Sequence, residues 1–257
     1  MWQREFLKPQ QKPHLVRFQH DELLESGFIV NPNCSIQQQL PAEKAEDLAL
    51  TSFFLSSDAL QRIKQPIAED LKENCTTFEV LAALAWRARI MALGIPLNNA
   101  VRFLFPVDMR RAFDPPLPEG YYGNGFYVAS AHSTTAEEVV NGSLSHAVKM
   151  IKKAKLSVNE EYVRSSIAFL ETKRSCQDVR VCDEDTYLSD WRCLGFNEVD
   201  FGWGEPVIAC PGNFLIKMLF CPILFFLPTK SKSGIMMVFG VPRPALKALQ
   251  TQLDSLM

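Results

Sequence analysis

Histidine is scarce in this chain, with only His14, His20, His132 and His146 among 257 residues. None belongs to a His-Glu-x-x-His pair, so the helical zinc-hydrolase arrangement is excluded. No Gly-x-Ser-x-Gly elbow occurs, which removes the common hydrolase nucleophile. Gly-rich phosphate loops of the dinucleotide or Walker type are missing as well. The seven cysteines contain no Cys-x-x-Cys pair and no His-flanked metal pattern. An odd, scattered set fits reduced thiols and a cytoplasmic location, with no metal site and no disulfide framework. Met1 to Pro9 has no apolar core of the kind a signal peptide needs. The most apolar run, Phe214 to Leu227, holds Lys217 and Pro222. It is shorter than the roughly 20 residues of a spanning helix. It reads as buried strands, and no membrane partner is expected. Neither charge sign dominates: 27 basic and 29 acidic side chains leave a net charge of −2. A nucleic-acid surface is therefore not expected. The densest basic stretch, Lys149-Met150-Ile151-Lys152-Lys153-Ala154-Lys155, reads as the solvated face of an amphipathic helix.

What is present is an ordinary globular composition, 47% hydrophobic and 22% charged, long enough for one large domain or two small ones. Residues 1–45 are punctuated by Pro9, Pro13, Pro32 and Pro41 and read as a crossover or linker. Ala49 to Leu55 reads as a strand, followed by a short helix from Ser57 or Asp58 to about Leu71. Thr76-x-x-Glu79 is a capping box opening a helix whose buried side is Phe78, Leu81, Ala82, Leu84, Ala85 and Ala88. Gly94-Ile95-Pro96 stops it. A strand, Val101 to Val107, precedes the Pro-rich loop Phe113 to Gly120, and a second strand runs from Phe126 to Ser130. Thr135-x-x-Glu138 opens one long helix carrying Val140, Leu144, Val148 and Ile151. Glu160 to Glu171 is a further helix. Beyond Arg174 strands are expected at Val179–Cys182, Thr186–Trp191, Glu198–Phe201, Phe214–Ile216, Ile223–Leu227 and Gly234–Gly240. A closing helix covers Pro244 to Leu256. Helices and strands interleave without a repeat, so the class is α/β (α+β) with a mixed sheet.

Candidate chemistry is sparse. His146 lies beside Leu144 and Val148 on the long helix and reads as structural. His20 reads as a surface residue in the linker. His132 stands between a strand end and a helix start, where catalytic groups often sit, but the sequence shows no partner for it. Thr76 and Thr77 stand at a helix N-terminus, where free amides and the dipole favour anions. From the residues alone, a plain helix cap is the favoured reading of both. Asp200-Phe201-Gly202-Trp203-Gly204 reads as a tight turn after a strand. The glycines supply positive φ, and the Trp ring is expected to fold back and bury. Asp200 suits a turn cap or an ion pair, with Arg110 or Arg111 as the expected partner. By spacing alone, no active site is demonstrable.

The Asp200–Gly204 string nevertheless resembles the signature of plant BAHD-type acyl-CoA-dependent acyltransferases, and five further segments do so in order. Trp2-x-Arg4-Glu5-x-Leu7 and Phe18-x-His20-x-Glu22 are similar to the segments on either side of that family's interdomain crossover. Thr77 to Arg89 is similar to the first helix of its second lobe. Asp108-x-Arg110-x-x-Phe113-x-Pro115-Pro116-Leu117-Pro118-x-Gly120-Tyr121-Tyr122-Gly123-Asn124 is similar to its Pro-rich loop and Tyr-Phe-Gly-Asn element, and Ser189-Asp190-Trp191-Arg192 leads into the signature. Gly120–Asn124 and Lys152–Lys155 look closest to members acylating benzyl or aliphatic alcohols and taxane-type diterpenoids.

The resemblance implies a chloramphenicol-acetyltransferase-like lobe with a mixed sheet and flanking helices. Residues 1–45 would end a first lobe and its crossover, and 46–257 would form the second, C-terminal lobe. It implies O-acylation in plant secondary metabolism by a monomer, with acyl-CoA as co-substrate, a small alcohol as acceptor and no permanently bound cofactor. Thr76 and Thr77 fall where the family contacts CoA phosphate. Arg110 and Asp200 to Gly204 have structural roles, the signature holding the lobes in shape. The family's general base is the His of a His-x-x-x-Asp motif, placed upstream of the position matching Trp2. No such motif occurs here. The chain is accordingly expected to be a truncated product without its own base, and no catalytic residue is assigned to it. A non-catalytic CoA-binding or interaction module and an unfolded pseudogene product are the rival expectations.

Overall fold

The computed structural model describes residues 18, 20, 48–133, 135–172, 184–210, 223–228 and 233–255. Most of residues 1–45 and the strands expected at Val179–Cys182 and Phe214–Ile216 lie outside them.

Among the described residues, six strands form one mixed sheet in the order β1-β6-β5-β4-β2-β3. They are β1 (Leu48–Ser56), β2 (Val101–Asp108), β3 (Phe126–Ser133), β4 (Asp185–Asp190), β5 (Ile223–Pro228) and β6 (Gly234–Pro242). β1 runs antiparallel to β6 from Leu48 opposite Pro242 to Ser56 opposite Gly234, and β5 is antiparallel to β6. β4 is parallel to both β2 and β5. The helices are α1 (Ser57–Leu71), α2 (Thr77–Leu93), α3 (Ala136–Val140), α4 (Leu144–Ser157), α5 (Glu160–Thr172) and α6 (Leu246–Asp254). None among the described residues is long and apolar enough to cross a membrane.

α2 is the centre of the core. Twelve of its seventeen residues are buried, Glu79 and Arg89 among them, so it is buried on all sides instead of on the one stripe expected. A helix of that kind must be covered all round, and α1, α3, α6 and β4 pack against it. Thr76 starts it with the expected capping box, and Gly94 ends it at φ +61°, its amide bonding the Ile90 and Met91 carbonyls.

The single helix expected from Thr135 is two. α3 stops at Val140, and Gly142 lies so close to the preceding turn that a Cβ there would sit 2.1 Å from the Glu138 carbonyl oxygen. Arg87 Nε and Nη2 donate to the Val139 and Gly142 carbonyls, each at 2.7 Å, satisfying acceptors that helix continuation would have used. Ser143 then caps α4 through the His146 amide. The strand expected at Glu198–Phe201 is also absent; a 3₁₀ turn over Phe196–Glu198 leads into bends.

The chain divides into two compact units. The first comprises residues 1–39, 105–130 and 153–182. Within it Arg164 lies over the buried Phe113 ring, 5.4 Å from its centroid. The Asp114 amide donates to Glu160, tying the Pro-rich loop to α5. Tyr122 is 82% exposed on that loop. The second unit comprises residues 40–104, 131–152 and 183–257. Its core holds Trp86 against Phe103 and Phe53 against Phe239. A buried bidentate pair, Arg102 to Asp185 at 2.7 and 2.8 Å, joins β2 to β4.

Candidate functional site

At the start of α2, Thr76 Oγ1 accepts from the Glu79 amide at 3.2 Å, and the Glu79 carboxylate accepts from the Thr76 amide at 2.8 Å. The Thr76 hydroxyl is thus a helix cap, and Thr77 follows half-buried as the first helical residue. Beside them the Lys152 ammonium donates to Glu73 at 2.6 Å and to the Asn74 carbonyl at 3.4 Å. Its hydrogen bond to Glu73 raises the Lys152 pKa above the ordinary lysine value, against a smaller opposing effect of desolvation. Cys75, between these groups, is buried. Burial pushes its thiol up, Lys64 pulls it down and Glu79 adds to the rise. A protonated, buried thiol is no nucleophile. This corner holds the Lys152 and Lys64 ammoniums, the Glu73 and Glu79 carboxylates and a helix dipole, of which the ammoniums and the dipole suit an anionic group.

Lys152 emerges from the basic stretch read as a solvated helix face. That face is seen: Ile151 and Ala154 are buried while Lys149 and Lys153 are exposed. Nothing in the sequence singles out Lys152, because its partner Glu73 lies in the loop between α1 and α2, 79 residues away.

The histidines separate. His20 is not on the surface: it is 1% exposed, with Nε2 3.0 Å from the equally buried Ser165 hydroxyl. The Tyr162 and Phe169 rings stand 4.9 and 5.6 Å from its centroid. An imidazole walled by aromatics and satisfied by a hydroxyl is a packing element of the first unit. His132 lies exposed on β3, and His146 is exposed on α4.

The Asp200–Gly204 corner, in the second unit, differs from expectation in one way. Gly202 and Gly204 adopt positive φ, +96° and +92°, as the turn requires. But Trp203 is 94% and Phe201 83% exposed, so the ring does not fold back onto its own turn. Asp200 is a turn cap: Oδ1 accepts from the Gly202 amide at 2.7 Å and the Gly204 amide at 2.9 Å. Arg110, in the first unit, donates to Asp108 and to the Gly123 carbonyl. Upstream, Arg192 grips Asp190 with two hydrogen bonds at 2.8 and 2.6 Å. Trp191 Nε1 donates to Ser189, and its ring stacks at a tilt on Phe196. These rings and the Asp200 turn enclose an open hollow of about 490 Å³.

Comparison with known proteins extends the picture. The model of the Transferase family matches residues 1–256. The chain is 37% identical over its whole length to the 3'-N-debenzoyl-2'-deoxytaxol N-benzoyltransferase of Taxus canadensis, covering 55% of that protein. It is 34% identical, again over its whole length, to the taxadien-5-alpha-ol O-acetyltransferase of Taxus chinensis, covering 54%. The chain thus spans about half the length of the curated relatives it matches. Among solved structures, vinorine synthase superposes on 82% of this chain with a TM-score of 0.63 at 18% identity, 48% of that protein being covered. This last likeness concerns the fold alone.

Proposed function

The chain belongs to the Transferase family, the BAHD acyltransferases, and from that premise we propose that it forms the second lobe of an acyl-CoA-dependent acyltransferase acting on small alcohols. The observation that carries the proposal is the unbroken family match from residue 1 to residue 256. In this reading residues 1–45 end a first lobe and its crossover, and 46–257 form the second lobe of a cytoplasmic enzyme of plant secondary metabolism. The acceptor hydroxyl attacks the thioester carbonyl and forms the new C–O bond. A base removes the hydroxyl proton, the C–S bond breaks, and the CoA thiolate leaves to be protonated. The base is the histidine of a His-x-x-x-Asp motif contributed by sequence outside these 257 residues.

The groups of this chain have binding and shaping roles. The start of α2, with Thr76, Thr77 and Lys152, receives an anionic part of acyl-CoA. Thr76 acts by fixing the helix start, since its hydroxyl caps the backbone. Lys152 supplies the charge and exchanges Glu73 for the incoming anion. Asp200 holds the signature turn, and Arg110 holds the Pro-rich loop. The name of one relative describes N-benzoyl transfer and that of another O-acetyl transfer, so the acceptor atom is decided by pocket residues and not by the lobe's frame.

A second reading, a CoA-binding module without turnover, is favoured by the absence of His-x-x-x-Asp from the chain. Both readings meet in one assay of acyl transfer from acetyl-CoA or benzoyl-CoA to benzyl alcohol. The 257-residue chain is expected to bind the thioester and to show no turnover above background. Turnover abolished by His132→Ala would locate the base on β3 and refute the proposed origin of the base.

A further inference from the structure

Lys152 does not meet an incoming anion unopposed. Its ammonium donates to Glu73 at 2.6 Å and to the Asn74 carbonyl at 3.4 Å. Glu73 belongs to the short connection between α1, which ends at Leu71, and α2, which begins at Thr77. Both sides of the contact lie within the second unit. Two ammoniums, Lys152 and Lys64, and two carboxylates, Glu73 and Glu79, share this corner. Their formal charges cancel, so the corner stays neutral while Glu73 is in place.

The two carboxylates differ in what holds them. Glu79 is 1% exposed and accepts from the Thr76 amide, so it stays with the helix start. The Glu73 side chain is 46% exposed, and that of Lys152 is 25% exposed. An exposed pair of this kind is weak, because water competes for both charges. Glu73 is therefore the carboxylate that can turn out into solvent. Its departure leaves a net positive charge beside the N-terminus of α2, where an anion is favoured. Buried Cys75 anchors the connection two residues further on, so rotation of the Glu73 side chain is sufficient.

We propose that Glu73 is a built-in competitor for the phosphate groups of CoA, holding Lys152 in the empty site and retaking it as the product CoA leaves. The inference rests on the acyl-CoA reading of this corner given above, and adds to it a residue that weakens the hold. Acyl-CoA and free CoA carry the same phosphates, so the competitor acts on both. Binding both more tightly would not speed the chemistry, whereas a competitor shortens the stay of the product.

Isothermal titration of CoA into the full 257-residue chain tests this, with phosphate-free pantetheine as the second probe. Glu73→Gln keeps the shape of the side chain and removes its charge. It should tighten CoA about two- to fivefold and leave pantetheine unchanged. Glu73→Ala, an independent second variant, should gain likewise, and a gain in affinity cannot arise from unfolding. Asp58→Asn removes the same charge from the first turn of α1, about 20 Å away along that helix. It should leave CoA binding unchanged. In a Lys152→Met background the Glu73→Gln gain should vanish, since the two residues act as one pair. CoA binding that is unchanged or weaker in both folded Glu73 variants overturns the inference and leaves the acyl-CoA reading standing. A gain of equal size for pantetheine, or one that survives Lys152→Met, overturns it as well. Wild-type CoA binding indifferent to Lys152→Met overturns the reading of the corner itself, and the inference with it.

Discussion

Arg102 and Asp185 are a charged pair withdrawn from water, with side-chain exposures of 11% and 3%. Two short bonds hold them, so removing one partner strands the other charge. Asp185→Asn or Arg102→Ala should therefore lower stability by about 3–5 kcal/mol, read from urea midpoints. Lys72 poses the opposite case. It closes α1 at φ +55°, a region that costs a side-chain-bearing residue about 1 kcal/mol or more. Lys72→Gly should raise the urea midpoint, by up to about 1 kcal/mol in stability. Cys75 and Lys152 both have pKa values raised by folding. A group of that kind contributes stability that is complete below its unfolded value and is lost as pH rises through the folded one. Stability should thus fall from about pH 9 upward, where the unfolded thiol begins to ionise. Cys75→Ser should flatten the first part of that decline in a pH series of thermal melts. No change in the alkaline limb would contradict the assignment.

Whole elements depend on single side chains in the same way. Arg87 satisfies the Val139 and Gly142 carbonyls where α3 gives way to α4, and burial lowers its pKa without removing its charge. Arg87→Met should cost about 1–3 kcal/mol by leaving those acceptors unpaired. Gly142→Ala should cost a similar ~1–3 kcal/mol because its Cβ meets backbone. Thr76→Ala should cost about 1 kcal/mol as a lost cap; thermal melts of the three variants check the order. The caps were legible in the sequence because they are local: the Thr76–Glu79 box and Gly94 as the stop stand as expected, while Thr135 accepts from the Glu138 amide and the Glu138 carboxylate takes the Ser133 hydroxyl. The break after Val140 was not legible. The apolar spacing continues through it, and Arg87, which stabilises the interruption, lies 52 residues from Val139. The alternation in Glu198–Phe201 suggested a strand, but Asp200 engages local amides instead of a ladder. His20 misled for a related reason: what buries it, Ser165 and the aromatic rings beside it, belongs to a helix well over a hundred positions further along the chain.

At the scale of the molecule, the mixed α/β architecture followed from alternating helix and strand patterns, and the family followed from five ordered motifs. The sheet order could not be read, because the pairing of β1 with β6 joins residues nearly two hundred positions apart. The candidate anion corner was only half legible. Thr76 and Thr77 mark a helix start in any sequence, whereas the Lys152–Glu73 contact exists only once α4 is placed beside the start of α2. The proposed division of labour puts binding groups on this chain and the proton acceptor elsewhere. Joining these 257 residues to the unmatched first-half segment of the taxadien-5-alpha-ol O-acetyltransferase of Taxus chinensis isolates that claim. The measurement is release of free CoA thiol from acetyl-CoA in the presence of a taxane alcohol, by the fusion and by the chain alone. The account predicts release by the fusion, lost when the histidine of its His-x-x-x-Asp is changed to Ala, and none by the chain alone. A folded fusion that releases no thiol, or release by the unaided chain, would contradict it.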